Sequence, residues 1–402
     1  MNNIKLDFPI LDKKIRDKAI TYLDSAASTQ KPKQVINSIS EFLENSYENV
    51  HRGMNSLSID ATDLYEKSRE VAKNFINSNS TNEIIFTRGA TDSINIIANS
   101  LAEHLKEGDK IVVTELEHHS NYLPWMNLCK KLGLELKIIP ISKDGILSED
   151  DIINNCDDST KVLSLTHMSN VTGQILDIKK IKKSINKDTY VAVDGCQSIA
   201  HLKIDVKDLD CDFYSFSSHK LYGPSGIGIM YGKEDILNKL NPPTLGGGMI
   251  NEVSSNDFSY AMLPNKFEPG TPSIEAAIGF KTAMEYLNNN NYQDYFLNEK
   301  KLRSTLIKAL REFKEVDIYG SNEDGNATSI VSFNIKNQNF NDIATFLDQY
   351  GIMIRGGHHC CQPFMKKLGI PGSCRVSFGI YNDLNDIDHF IDSLKKTLKL
   401  FQ

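Results

Sequence analysis

Between residues 83 and 231 short runs of Val, Ile, Leu and Phe alternate with longer stretches in which apolar residues recur every three or four positions. The short runs, 83–87, 110–114, 136–140, 162–166, 190–194, 212–216 and 226–231, predict seven strands. Between them, 92–105 places Ile94, Ile97, Ala98 and Leu101 at helical spacing, and 122–132 has a similar pattern. Strands alternating with helices are the sequence form of an α/β domain with a mostly parallel, doubly wound sheet.

The alternation stops near Asn241, Pro242 and Pro243 and the glycines 246–248. Pro264, Pro269, Gly270 and Pro272 then punctuate an irregular passage that marks a boundary between lobes. Beyond it, 273–287 predicts a long helix capped by Ser273, with Glu275 in its first turn and the asparagines 288–291 as its stop. Strands at 328–335 and 374–377 and a helix at 341–350 predict a smaller α+β C-terminal lobe. The expected division is a large domain at 18–265 and a small domain at 266–402 with 1–17. A length of 402 residues agrees with two lobes.

Hydrophobic residues make up 40% and charged residues 24%, and no apolar run approaches the length that crosses a bilayer. This excludes global disorder and membrane spanning. The net charge of −7 disfavours a nucleic-acid partner, which would need a basic groove inside an acidic protein. The first dozen residues show neither a signal-peptide core nor a transit pattern, and the expected location is the cytoplasm. Seven scattered cysteines without a C-x-x-C pair read as free thiols in a reducing compartment. Lys179, Lys180, Lys182 and Lys183 read as a solvated helix face.

Open α/β sheets bind ligands beyond the carboxyl ends of their strands. At one such end, Thr87-Arg88-Gly89-Ala90-Thr91 offers backbone N–H groups at a helix start that attract a phosphate; taken alone, Thr91 reads more readily as a helix cap. Another strand ends on Asp194, and a third on Ser217, Ser218, His219 and Lys220. A lysine at a strand mouth forms a Schiff base with a carbonyl cofactor, and an acid keeps a pyridinium protonated. Pyridoxal phosphate needs both, with phosphate donors and a flat face against its ring. His118 and His119 lie after a neighbouring strand and supply such a face.

Nine segments in order carry a family resemblance: YLDSAAS at 22–28, HRG at 51–53, LEHHSN at 116–121, SNVTG at 169–173, VDGCQS at 193–198, SSHKLYGPSGIG at 217–228, FEPGTP at 267–272, RGGHHCCQP at 355–363 and CRVSFGIYN at 374–382. Over nearly its whole length the chain resembles the SUF-type cysteine desulfurases, class-V aminotransferases among the fold-type I pyridoxal-phosphate enzymes. The resemblance implies that Lys220 carries the cofactor and shuttles the substrate's α-proton. It implies that His119 stacks on the ring, that Asp194 partners the pyridine nitrogen and that Gln197 faces the ring hydroxyl. Thr91, Ser217 and His219, with the Ala90 backbone beside them, match phosphate ligands. Thr271 matches a contact borrowed from a second subunit, which implies a homodimer. Asn170, Arg355 and Arg375 match residues around L-cysteine, Arg375 as the carboxylate anchor, and Cys360 matches the thiol that takes the sulfur. The implied products are L-alanine and an enzyme persulfide, with the sulfur passing to an acceptor protein of iron–sulfur cluster assembly and selenocysteine as a further substrate.

Four consecutive residues, His358 to Cys361, point in divergent directions and do not converge on one ion, so no metal is expected. Cys361 departs from the family loop, which more often has a small or polar residue there. It is open to accepting sulfur, to forming a strained disulfide or to no role, and the last is favoured. Cys196, Gly356 and Asp92 are lesser departures. Two rivals remain at this stage: another class-V enzyme, an aminotransferase or kynureninase-like hydrolase, which gives Cys360 no task, and a catalytically silent scaffold, which needs none of Lys220, Cys360 and Arg375.

Overall fold

The computed structural model describes residues 4–320 and 326–400. Seven strands form the central sheet: β1 (Ile84–Thr87), β2 (Lys110–Thr114), β3 (Glu135–Ile139), β4 (Thr160–Thr166), β5 (Tyr190–Asp194), β6 (Phe213–Ser217) and β7 (Gly228–Gly232). Their spatial order is β1-β7-β6-β5-β4-β2-β3, with β7 antiparallel to both neighbours and every other pair parallel. All seven strands expected from the hydrophobic runs are present, with ends shifted by two residues at most.

Alternation along each strand divides the core into two layers. Ile111, Val113, Val162, Ala192, Phe213 and Met230 face the helices Ala90–Leu101 and His119–Leu132, with Trp125 fully buried among them. Val112, Leu163, Val191, Val193, Phe216 and Ile229 face the opposite side, packed with residues of the helices Ser56–Phe75 and Ile274–Asn289. Covering both faces explains why the strands read as nearly continuous apolar runs.

A second sheet is antiparallel throughout, in the order Val316–Tyr319, Ile330–Ile335, Ser373–Ser377, Arg355–Gly357. The helices Tyr292–Leu310, Phe340–Asp348 and Leu384–Lys399 close over it around Phe333, Val376, Leu306 and Phe390. This is the smaller α+β lobe, and the whole is the mixed α/β fold expected.

Packing places three segments differently from the expected division. The helix Ile274–Asn289, assigned above to the small domain, shares the core of the large sheet: Phe280 is fully buried, with its ring 6.0 Å from that of Phe216. Ile4, Phe8 and Leu11 join that same core, Phe8 wedged edge-on against Tyr222, Tyr286 and Tyr381. Leu23, by contrast, is buried in the core of the smaller lobe. The expected boundary after residue 265 thus leaves out a helix that shares the core of the large sheet; residues 1–3, 321–325 and 401–402 of the expected spans lie outside the described residues. The passage itself contains a hairpin, Ile250–Val253 with Phe258–Tyr260, that its composition hides. Nor is Lys182 solvated: it is buried, donating to Asp212 at 2.7 Å and to the Thr189 carbonyl at 3.0 Å.

Because Phe280 fills the space between its helix and β6, Phe280→Ala is expected to cost about 3–5 kcal/mol, the range for emptying a buried aromatic site. Urea unfolding followed by Trp125 fluorescence measures it.

Candidate active site

The carboxyl ends of β1, β5 and β6 open onto a cavity of about 360 Å³. Ala90, Thr91, Asn170, Asp194, Gln197, Ser217, His219, Lys220, Arg355, Cys360 and Arg375 all line it. The nine sequence segments are scattered over more than 350 positions, and the fold brings eleven of the thirteen expected site residues to one place.

One end of the cavity is built for an anion. Gly89 takes φ of +147° between β1 and the following helix, which no side chain tolerates easily. Its neighbour Ala90 donates its N–H to Ser217 Oγ at 2.8 Å, and Thr91 Oγ1 pairs with Ser120 Oγ at 2.7 Å. Gly228 on β7 permits this approach: a Cβ there would lie 2.6 Å from the Gly89 Cα. His219 completes this end, its pKa pushed down to about 4 by burial and then by Lys220 and Lys31, so that it is a neutral donor or acceptor.

Lys220 is fixed by its backbone. The preceding carbonyl, that of His219, accepts from Ser28 Oγ, the Thr29 N–H, Thr29 Oγ1 and Lys31 Nζ, each within 3.1 Å. Lys220 Nζ itself makes no hydrogen bond or ion pair with a described residue. On the next strand mouth Asp194 Oδ1 accepts the Cys196 N–H at 2.9 Å, and Gln197 is tied through its Nε2 to the Ala26 carbonyl at 2.8 Å.

His118, not His119, lines this cavity. The expected helix start at residue 122 lies three residues too late: the helix begins at His119, and His118 is its N-cap, extended at φ −62° and ψ 147°, with Nδ1 accepting the Ser120 N–H at 3.1 Å. The cap turns that imidazole toward the strand mouths. His119, the first helical residue, points away, and its Nε2 accepts the Gln362 N–H at 3.2 Å in an outer groove. Burial, followed by Lys220, His119 and Arg375, pushes His118 down to about pKa 3, so the ring is neutral and suited to stacking. Thr271 is also elsewhere. It is exposed and lines a separate cavity of about 350 Å³ with Arg88, Asp92 and Pro269. Its loop is anchored by the fully buried Arg69, which grips Glu268 through Nη1–Oε1 at 2.6 Å and Nη2–Oε2 at 2.9 Å.

The far end of the cavity carries the cationic groups. Arg375 is buried; its Nη1 donates to the Asn170 carbonyl at 2.9 Å and its Nη2 to Asp24 at 3.1 Å, while its Nε is buried without a partner. Arg375 lines the cavity, so its guanidinium is placed to meet a carboxylate there. Asp24 is the residue that sequence reasoning did not single out, although it sits in the segment 22–28 that carried the resemblance. Of His118 and His119, both read from the residues as a ring face, the resemblance selected His119, and the cap spacing from His118 to Ser120 was the signal for the other.

Cys360 is exposed and faces the cavity from a pinned loop. Its carbonyl accepts the His119 N–H at 2.7 Å, its N–H donates to His358 Nδ1 at 3.1 Å, and Asn170 Nδ2 holds the His359 carbonyl at 2.7 Å. His359 and Cys360 both occupy left-handed backbone, φ +51° and +52°, which costs roughly 1–3 kcal/mol each and persists only because these bonds over-determine it. Cys361 is fully buried under the loop, 3.6 Å from the Glu115 carbonyl, and burial pushes its thiol pKa far up. Within the same run, His359 Nε2 pairs with Ser373 Oγ at 3.0 Å.

An anion cradle, a carboxylate at a strand mouth, an unpaired lysine and a neutral imidazole face make up the donor set that pyridoxal phosphate requires, and with the seven-stranded sheet they define a fold-type I enzyme using that cofactor. Comparison with known proteins agrees. The model for "Aminotransferase class-V" matches residues 21–390, and the chain belongs to that family, within it to the cysteine desulfurases. It is 44% identical over 397 residues to a probable cysteine desulfurase of Staphylococcus epidermidis, covering 98% of this chain and 96% of the relative. Among solved structures it is similar to the cysteine desulfurase CsdA of Escherichia coli (TM-score 0.91, 33% identity, 100% and 99% of the two chains). It is also similar to a cysteine desulfurase of Thermococcus onnurineus NA1 (TM-score 0.94, 36% identity, 99% and 98%).

Two outcomes distinguish the histidines. His118→Ala is expected to shift the visible absorption of the bound cofactor and weaken its retention in dialysis, whereas His119→Ala leaves both unchanged. In the cofactor-free protein, a histidine depressed from 6.5 to about 3 stays neutral when folded and takes up a proton when unfolded, so its contribution to stability falls as pH drops below 6.5. His118→Gln should therefore flatten the decline of melting temperature between pH 6.5 and 4.5, by about one proton in the linkage slope.

Proposed function

We propose that the protein converts L-cysteine to L-alanine, leaving the sulfur as a persulfide on Cys360. The observation that carries this reading is the placement of an exposed thiol, a lysine and an anion-gripping arginine around one cavity of small-molecule size.

The guanidinium of Arg375 binds the substrate carboxylate through two parallel hydrogen bonds and aims the rest of the molecule between Lys220 and Cys360. Lys220 Nζ, which makes no hydrogen bond or ion pair with a described residue, would hold the cofactor, and its amine moves the substrate's α-proton. The cradle at Ala90, Thr91, Ser217 and His219 would hold the phosphate, His118 would cover the ring, Asp194 would face its nitrogen and Gln197 its hydroxyl. The cofactor, when bound, supplies an electron sink. Cys360 as thiolate attacks the substrate sulfur: the S–S bond forms as the C–S bond breaks, the electron pair returns to the substrate carbon, and protonation there gives alanine.

Thr271 is exposed and lines a cavity other than that of Lys220, which supports a homodimer in which a second copy lends it. Ile36, Leu43, Leu57 and Ile59, on the helices Lys33–Asn45 and Ser56–Phe75, are exposed apolar side chains available to such a copy. The persulfide then passes to an acceptor protein of iron–sulfur cluster assembly. The same attack on selenium makes selenocysteine a second substrate. Seven free thiols suit the reducing cytoplasm. Transamination or kynureninase-like hydrolysis shares Lys220 and Asp194 but leaves Cys360 idle.

Adding L-cysteine to the cofactor-loaded enzyme is expected to yield alanine, with sulfide when a thiol reductant is present; pyruvate or no amino-acid product would overturn the reading. Lys220→Ala should abolish alanine formation. Cys360→Ser should bind cofactor normally and form no persulfide, whereas Cys361→Ser keeps most activity, with peptide mass spectrometry of the alkylated wild type placing the sulfur on Cys360. Arg375→Ala should lower kcat/KM about a hundredfold, on the order of 2–4 kcal/mol, at unchanged cofactor content, and Arg375→Lys should recover little of it.

A further inference from the structure

Lys31 has no task in the reaction as derived, yet its side chain reaches the peptide unit that leads into Lys220. Its Nζ donates to the Thr29 carbonyl at 2.6 Å and to the His219 carbonyl at 3.0 Å. Among the described residues no acidic side chain pairs with it, and burial pushes its pKa down to about 8. A half-buried ammonium without a carboxylate costs stability rather than supplying it, so packing does not account for the residue. Lys31 does not line the cavity of Lys220, which leaves an action through the two carbonyls it holds.

The turn it meets needs holding. From Ser218 to Gly223 the chain doubles back, the Ser218 carbonyl accepting the Leu221 N–H at 2.8 Å and the Gly223 N–H at 3.1 Å. Two residues beyond Lys220, the fully buried Tyr222 takes left-handed backbone at φ +61°, a conformation that persists only where its surroundings over-determine it. Thr29 meets this turn twice, its Oγ1 donating to the His219 carbonyl at 3.1 Å and accepting the Tyr222 N–H at 2.7 Å. The Thr29 and His219 carbonyls thus converge on one point, where their negative ends repel unless a group with several N–H donors stands between them. An ammonium has three. Lys31 itself stands directly before Pro32, the cap of the helix Lys33–Asn45, so the stem of this donor is anchored. We propose that Lys31 is a positioning residue, which locks the turn bearing Lys220 so that its amine stays within reach of the substrate's α-hydrogen. The proposal rests on the reading of Lys220 as the group that moves that proton.

The test is the exchange of the α-hydrogen of L-alanine for deuterium, followed by NMR on cofactor-loaded protein in D2O, because it reports proton transfer without involving Cys360. Lys31→Met keeps the length of the stem and removes the donors. It is expected to slow exchange at saturating alanine about tenfold or more, the scale on which displacement of a reacting group is felt, with cofactor content and alanine affinity unchanged. Lys31→Arg, which restores the donors, should recover most of the rate. In the cofactor-free protein, amide deuterium uptake across 218–223 should be several-fold faster in Lys31→Met than in wild type, and this measurement decides the matter should that variant fail to load cofactor. A wild-type exchange rate in Lys31→Met, a loss that falls on alanine affinity instead of rate, or no recovery in Lys31→Arg overturns the proposal. Lys220→Ala tests the underlying reading separately: it should abolish exchange, and a wild-type rate there would remove proton transfer from Lys220, whereas deuterium uptake across the turn still decides whether Lys31 locks it.

Discussion

The His219 carbonyl, held by four donors from residues 28–31, is the contact on which the site depends. Lys220 has a long, freely rotating side chain, and an unpaired amine on such a chain is useful only if its backbone is immobile. The clamp supplies that immobility from a distant part of the sequence. It also draws in the strand-like segment just before it, whose Leu23 and Ser25 N–H groups bond into the smaller lobe at Met353 and Ser377. Residues 22–31 thus tie the lysine of one lobe to the arginines of the other, and Asp24 sits at the middle of that tie.

A division of labour follows. The large sheet sets out the proposed cofactor contacts at strand ends, where Asp194 and Ser217 lie on one edge. The small antiparallel sheet carries the proposed substrate contacts, since its cross-strand pairing sets Arg355 beside Arg375. Neither lobe contains a complete site, and the Cys360 loop, which follows the small-sheet strand Arg355–Gly357, bonds to the large lobe through both Asn170 and His119. His119, expected to touch the ring, instead serves that bridge, donating its backbone to Cys360 and accepting from Gln362.

The strands were legible because parallel sheets demand continuous apolar runs, and Asp194, Ser217 and Lys220 stood out because they fall where those runs end, whereas Gln197, Asn170, Arg355, Arg375 and Cys360 entered only through the family resemblance. What was illegible depends on contacts distant in sequence. The helix Ile274–Asn289 follows a proline-rich boundary signal, yet its fully apolar face selects the larger core. The choice between His118 and His119 turns on one residue of helix register, and Pro124 inside that helix obscures the true start. Asp24 looked like one acid among many until its strand was placed against Ser377. The helices Ser56–Phe75 and Leu384–Lys399 have no counterpart among the elements expected from the sequence.

The loop around Cys360 has one further consequence. Two successive left-handed residues held by backbone bonds on either side, above a buried Cys361, leave the thiol little freedom beyond rotation about its own Cα–Cβ bond. Any partner that collects sulfur must therefore bring its own nucleophile to the cavity mouth. In return it meets a donor already ordered, so that association need not supply the conformational entropy of arranging a flexible arm, commonly about 0.5–1.5 kcal/mol for each side chain immobilised at an interface. The rigidity that holds sulfur close to the substrate thus shifts the burden of motion onto the acceptor.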